Sequence, residues 1–349
     1  MPMHARSLPH AISGPLAAAV FSVCIAPALA FAAEPAAKNA IPIKEWKVPY
    51  EGRPRDPFVA GPDAVWFVGQ TDGYLARLTP STGAFFQRDL GDDAGPHNTI
   101  VGKDGIVWIA GNLNAYIGRY DPKTDELERI AMPDPEAADP HTMVFDADQS
   151  HIWFTVQGGN FVGRLTLADR EVELIKVPTG GARPYGIRIA PDGTPWIAMF
   201  GTNKLASVDP STMTLTEHEI PHAEARPRRL EITPDGRIWY SDYARGKIGR
   251  FDPASGDFAE WALPSGAGSK PYGTALDDDG VVWIVETGVS PNLFVGFDTK
   301  REEVVSITPV PSGGGTLRHM DYAPDADAVW FGADTGTIGR ADVGRLAAE

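Results

Sequence analysis

Seven positions in this 349-residue chain share one local setting and carry side chains able to do chemistry. Arg55, His97, His141, Tyr185, Arg228 and Tyr272 each follow a proline, and Arg318 follows Leu317; every one lies 11 or 12 residues ahead of a tryptophan. Guanidinium, imidazole and phenol groups brought to one place would make a locally basic pocket for carboxylate, carbonyl or lactone oxygens. His97 and His141 could share a metal ion or a proton. His319 reads as a candidate base whose pKa the neighbouring Arg318 lowers. Alternation along a strand would point it away from Arg318, unless the strand bulges. A second polar set comes three or four residues after the tryptophans: Gln70, Asn112, Gln157, Asp242, Glu286 and Asp334. Of these, Asp242 and Glu286 are candidate cation ligands or partners for Arg228 and Arg318. A water-filled channel without chemistry would show the same polar lining, so the pattern alone leaves both readings open.

These residues converge only if the chain is built from equivalent units. Trp66, Trp108, Trp153, Trp196, Trp239, Trp283 and Trp330 are spaced 42, 45, 43, 43, 44 and 47 residues apart, and each sits in a short apolar run. Turn signals such as Pro191-Asp192-Gly193 and Pro234-Asp235-Gly236 precede several of the runs. A second strand follows, as in Ile117-Gly118-Arg119 and Ile248-Gly249-Arg250, then an Asp-Pro turn and a strand ending in proline. With the proline-led segment, each unit holds four short antiparallel strands. A period near 44 residues with four strands predicts an all-β, seven-bladed β-propeller. The last unit lacks its outer strand, and Lys44-Glu45-Trp46-Lys47-Val48-Pro49 matches Ala259-Glu260-Trp261-Ala262-Leu263-Pro264. Residues 42–50 are therefore expected to pair onto the last blade and close the ring. In this scheme the repeated tryptophans pack between blades and carry fold rather than function.

Composition bounds the partners. The chain has 31 Lys+Arg against 46 Asp+Glu, a formal charge of -15, which argues against nucleic acid or an anionic membrane as the main partner. One cysteine, Cys24, excludes a disulfide framework. Residues 1–33 read as a secretory signal, with an uncharged alanine-rich stretch over 17–33 and cleavage after Ala30 or Ala33. The expectation is an exported, periplasmic propeller over 34–349, monomeric, with no later membrane span and with a small or anionic ligand in its funnel.

Pro-Tyr-Gly-Ile at 184–187 and Pro-Tyr-Gly-Thr at 271–274, each leading to a tryptophan run, then Ile-Gly-Arg and a proline-ended strand, complete a recognisable unit. The chain resembles the virginiamycin B lyase (streptogramin lyase) family over residues 42–340. That resemblance implies a carbon–oxygen lyase that opens a cyclic ester by elimination, with a histidine base and a magnesium ion held partly by glutamate. Carried over, the family positions fall on Tyr272, Arg318 and Asp334, with His319, His97 and His141 as the available histidines and Glu286 and Asp334 as the metal carboxylates. Arg318 cannot accept a proton near neutral pH. The alternative is a non-catalytic propeller that uses Arg55, Tyr185, Arg228 and Arg318 to hold an anionic ligand or a protein partner.

Overall fold

The computed structural model describes residues 35–348; the expected signal segment lies outside them. Each of the first six tryptophan units forms one sheet of four antiparallel strands in chain order, and the seventh supplies three; blade 2, for example, runs Pro96–Val101, Val107–Gly111, Tyr116–Asp121 and Glu126–Ala131. The inner strands are Pro54–Gly61, Pro96–Val101, Pro140–Phe145, Pro184–Ile189, Pro227–Ile232, Pro271–Leu276 and Leu317–Ala323, one for each of blades 1 to 7. Only three short 3-10 turns interrupt the strands among the described residues. The result is the expected seven-bladed all-β propeller.

All seven repeated tryptophans are buried. Trp108 clusters with Phe154, Val156 and Leu165 of blade 3, and Trp153 with Ile197 and Val208 of blade 4. Each indole thus fills the seam between neighbours, where a flat twisted sheet alone would leave a gap. The repeated Gly-Arg pair has two local causes. Arg164 and Arg250 lie over Trp153 and Trp239 at 5.4 and 5.7 Å from the ring centres. The glycine beside each arginine makes room for an aromatic ring in blades 3 and 5: a Cβ at Gly163 would sit 2.1 Å from Phe154, and one at Gly249 would sit 2.2 Å from Tyr240.

The ring is closed by strands from distant parts of the chain. Ile43–Lys47 pairs antiparallel with Thr337–Asp342, in the register Ile43 opposite Ala341 and Lys47 opposite Thr337. Trp46 stacks on Trp330 at 5.3 Å between ring centres, as Trp261 stacks on Trp239 at 5.4 Å within blade 5. Glu45 accepts from the Ser312 N–H and hydroxyl, both at 2.7 Å, and from the Thr337 hydroxyl at 2.6 Å. Trp46→Ala should therefore lower stability by about 2 kcal/mol, through lost stacking and burial. A shift of the denaturant midpoint, with faster proteolysis near residue 45, checks this; an unchanged midpoint would mean closure does not depend on the indole.

Candidate functional site

Every inner strand bulges at its start, and the bulge determines what faces the axis. In blade 3, Pro140 lies opposite Val156 and Met143 opposite Phe154, so His141 and Thr142 share one partner position. The same shift puts His97 with Asn98, Tyr185 with Gly186, Arg228 with Arg229, Tyr272 with Gly273, and Arg318 with His319. In blade 1 the shift comes one residue later, and Asp56 there takes a φ of 48°. Strict alternation, the basis for turning His319 away from the channel, is thereby overturned. Side chains of both residues of a pair are thus brought to the buried centre in blades 2, 3 and 5.

The second residues of the pairs form an axial plug around the Asp56 carboxylate. Arg55 Nε donates to Oδ1 at 3.0 Å and Asn98 Nδ2 to Oδ2 at 3.2 Å, while Arg229 Nη2 stands 3.6 Å from Oδ2. Arg229 also donates to the Arg318 carbonyl and to the Thr142 hydroxyl, each at 3.1 Å, and so ties blade 5 to blades 7 and 3 across the axis. Asn98 Oδ1 accepts the Met143 N–H at 3.0 Å. Burial pushes the Asp56 carboxyl up, but Arg55 and Arg229 outweigh it and hold the group below its ordinary range. Gly186 is required where Arg229 crosses: a Cβ there would lie 2.9 Å from Arg229 Cα and from the Arg228 carbonyl oxygen.

Above the plug, the first residues of the pairs stack around the rim. The His97 and His141 rings lie 3.6 Å apart between centres, His141 lies 4.1 Å from Tyr185, and the hydroxyls of Tyr185 and Tyr272 are hydrogen-bonded. His97 Nδ1 donates to the His141 carbonyl at 3.1 Å. The Thr142 hydroxyl, which accepts from Arg229, is left to donate to His141 Nδ1 at 2.8 Å. Burial first, then the surrounding arginines, hold both imidazoles well below their ordinary pKa, so both are neutral. Their Nδ1 atoms are already engaged and do not open onto a shared metal.

Arg228 is the centre of the upper mouth. Its guanidinium lies 3.4 Å from the centre of the Tyr272 ring, 4.5 Å from those of Phe200 and Tyr243, and 5.0 Å from that of Tyr185. Nη2 faces the Tyr185 hydroxyl at 3.4 Å, and Nε is buried without a partner among the described residues. Burial raises the Tyr185 phenol, yet Arg228, Arg229 and Arg55 outweigh it and bring the group below its ordinary range; Tyr272, buried beside it, is pushed up.

The carboxylates do not assemble. Glu286 is buried and accepts from the Ser265 N–H at 3.0 Å and from the Ser265 hydroxyl, tying down an inter-blade loop. Asp242 does the same for the Arg226 N–H at 2.9 Å and pairs with Arg245 at 3.4 Å. Asp334 pairs with Arg318, with Arg53 at 3.8 Å. Among the described residues no three His, Cys, Asp or Glu come together as a ligand group. The residues therefore do not fit a magnesium ion held by Glu286 and Asp334: Arg318 neutralises one carboxylate and repels a cation, and Ser265 occupies the other. Nor does His319 reach them; it lies below Arg318, on the far side of the plug.

Two members of the upper mouth escaped the sequence reading. Phe200 and Tyr243 stand four residues after their tryptophans, in the register of Gln70 and Asp334, which bond Arg55 and Arg318. Asp242 and Glu286 stand three after and turn into the loops. Keeping one register would have revealed the aromatic pair.

Below the plug the channel opens again as a cavity of ≈ 490 Å³, lined from all seven inner strands. There Arg188 bonds Glu231 through Nε at 2.9 Å and Nη2 at 3.0 Å, and Asp321 Oδ2 accepts the Val59 N–H at 2.8 Å. Burial raises the Asp321 carboxyl to about 6.

A seven-bladed propeller with a plugged axis and a basic, aromatic upper mouth is the class of protein so defined. The sequence model of the Virginiamycin B lyase family matches residues 37–208 and again 170–347, and the chain belongs to that family. Among solved structures it is similar to selenomethionine-substituted virginiamycin B lyase from Staphylococcus aureus, at 22% identity and a TM-score of 0.78, over 86% of this chain and 99% of that one. A streptogramin B lyase structure matches at 22% identity and a TM-score of 0.78, over 88% and 99%. The hydrazine synthase of Kuenenia stuttgartiensis matches at 16% identity and a TM-score of 0.66, over 80% and 92%. At these identities the likeness is one of fold. No curated protein sequence matches the chain.

Two stability predictions follow from the axial groups. Asp56→Ala leaves Arg55 and Arg229 buried without their carboxylate and should cost about 3–5 kcal/mol by chemical denaturation; a loss under about 1 kcal/mol would show that the plug holds without it. Because the folded pKa of Asp321 lies above its unfolded value, its contribution is fully present below the unfolded pKa of 3.8 and lost as pH rises through about 6. Asp321→Asn should thus be more stable than wild type by up to about 3 kcal/mol near neutral pH, with the gap closing at acid pH. Melting temperatures compared across pH check this.

Proposed function

We propose that this family member is an exported propeller that binds a small anion, a carboxylate on a flat apolar body, at its upper mouth. The observation that carries this reading is Arg228 laid on Tyr272 and walled by Tyr185, Phe200 and Tyr243. A guanidinium whose faces are covered by rings keeps its edge for a planar oxyanion, and the rings supply matching surface for the ligand's body. Arg55 and Arg229 lie beneath, and within the plug they face the single carboxylate of Asp56. Three guanidinium groups, Arg55, Arg228 and Arg229, against the one carboxylate of Asp56 favour an anion there on a chain that is acidic overall. Export rests on the alanine-rich stretch over 17–33.

A second reading has its own support, in the pair of phenols. Tyr185, hydrogen-bonded to Tyr272 and faced by Arg228, is placed to serve as a base without a metal. Its phenolate would take a proton from carbon, the electron pair would form the C=C bond, and the neighbouring ester C–O bond would break to leave a carboxylate for Arg228. This is the elimination that the family likeness suggests, with a tyrosine in place of the histidine.

Calorimetric titration with benzoate, against neutral benzamide, tests the binding reading. Wild type should bind benzoate alone, and Arg228→Lys, which keeps charge but loses the planar fork, should weaken it by about tenfold. Equal binding of benzamide, or benzoate binding unaltered in Arg228→Lys, would reject it. Incubation with a streptogramin B substrate separates the second reading: a linear product that survives EDTA and disappears in Tyr185→Phe would establish it, and no turnover would remove it for that substrate.

A further inference from the structure

The lower cavity is a second, chemically distinct candidate site, and the upper mouth takes no part in it. Its wall is divided. Phe58, Ile100 and Phe145 of blades 1 to 3 give an apolar side, and Arg188, Glu231, His319 and Asp321 of blades 4, 5 and 7 complete the wall, with Leu276 of blade 6 between Glu231 and Asp321. Of the polar groups, Arg188 is spent: Nε and Nη2 bond Glu231, and Nη1 reaches the Ile187 carbonyl at 3.3 Å. Both Glu231 oxygens are likewise held, one of them also by the Thr274 hydroxyl at 2.8 Å. Two acceptors are left. Asp321 uses one oxygen on the Val59 N–H. His319, nine-tenths buried, has an Nδ1 with no partner among the described residues. Burial, then Arg229, keeps that imidazole neutral, so it can accept a hydrogen bond.

The surroundings carry the same sign. Every turn that joins an inner strand to its tryptophan strand contains at least one aspartate, so this end of the axis is ringed by carboxylates. A buried acceptor without a donor is expensive, and a ligand that supplies N–H groups would satisfy it. An apolar pocket with a few convergent polar groups is also the usual form of a small-molecule site.

We propose that the lower cavity binds a small amphipathic amine, its ammonium seated between Asp321 and His319 and its apolar body against Phe58, Ile100, Phe145 and Leu276. The cavity size, about 490 Å³, suits a single-ring compound. With Glu231 neutralised by Arg188, anions are disfavoured there by Asp321, so the two ends of one channel select opposite charges.

The test is calorimetric titration of the purified protein with 2-phenylethylamine, beside neutral 2-phenylethanol and anionic 3-phenylpropionate. The amine should bind, and the other two should bind at least about tenfold more weakly. Asp321→Asn keeps an oxygen for Val59 and removes only the charge; it should weaken the amine by about tenfold while the melting temperature is kept or raised. Val144→Phe, at a half-buried position on the cavity wall, fills the space without touching Asp321 and should abolish binding. Failure of the wild type to bind the amine, equal binding of the alcohol, or wild-type affinity in either folded variant overturns the proposal. Benzoate binding at the upper mouth should be unchanged in Asp321→Asn, so failure at one end is distinguishable from failure at the other.

Discussion

The rest of the axis depends on one buried carboxylate. Asp56 is fully enclosed, and the guanidinium groups of Arg55 and Arg229 reach it from blades 1 and 5. Such an arrangement is stable only as a whole, because each charge taken from water needs the others. It joins blades that never meet through sheet hydrogen bonds, and it seals the channel at mid-height. Without it, one continuous polar pore would run through the ring. With it, there are two shallow compartments whose linings differ in charge and polarity.

The ring itself could be read from the chain, because seven tryptophans at near-constant spacing repeat a packing requirement and packing repeats with the fold. The closing strand could be read for the same reason: Lys44–Pro49 copies the outer strand of blade 5 down to its stacked tryptophan. The contents of the axis were harder. His97, His141, Tyr185, Arg228 and Tyr272 were placed together correctly by register, but Asp56, Asn98 and Arg229 were hidden by the assumption of strict alternation. A bulge costs one hydrogen-bond step and leaves no composition signal of its own. Its nearest trace is the glycine after Tyr185, where the neighbouring chain comes too close for a Cβ.

Membership of the virginiamycin B lyase family fixes the scaffold and leaves the chemistry to the side chains. Here the positions that the resemblance assigns to histidine bear a phenol and a guanidinium, and the carboxylates it would make metal ligands are bonded to Ser265 and Arg318. These exchanges are mutually consistent. Arg318 needs Asp334 as its counter-ion, and Tyr272 offers a flat face to Arg228 that an imidazole would cover less fully. The groups at the mouth thus fit one another as a set, and the set is cationic.

Closure by Ile43–Lys47 on Thr337–Asp342 has a kinetic side as well. A ribosome-bound chain that has delivered six blades is still an arc, with two raw sheet edges and no common centre. Contacts such as Arg229 with Asp56 span about half the sequence and cannot form early at low entropic cost. The axial assembly therefore forms late and abruptly, with the last forty residues, and a truncated product would retain well-made blades around an axis that never closes.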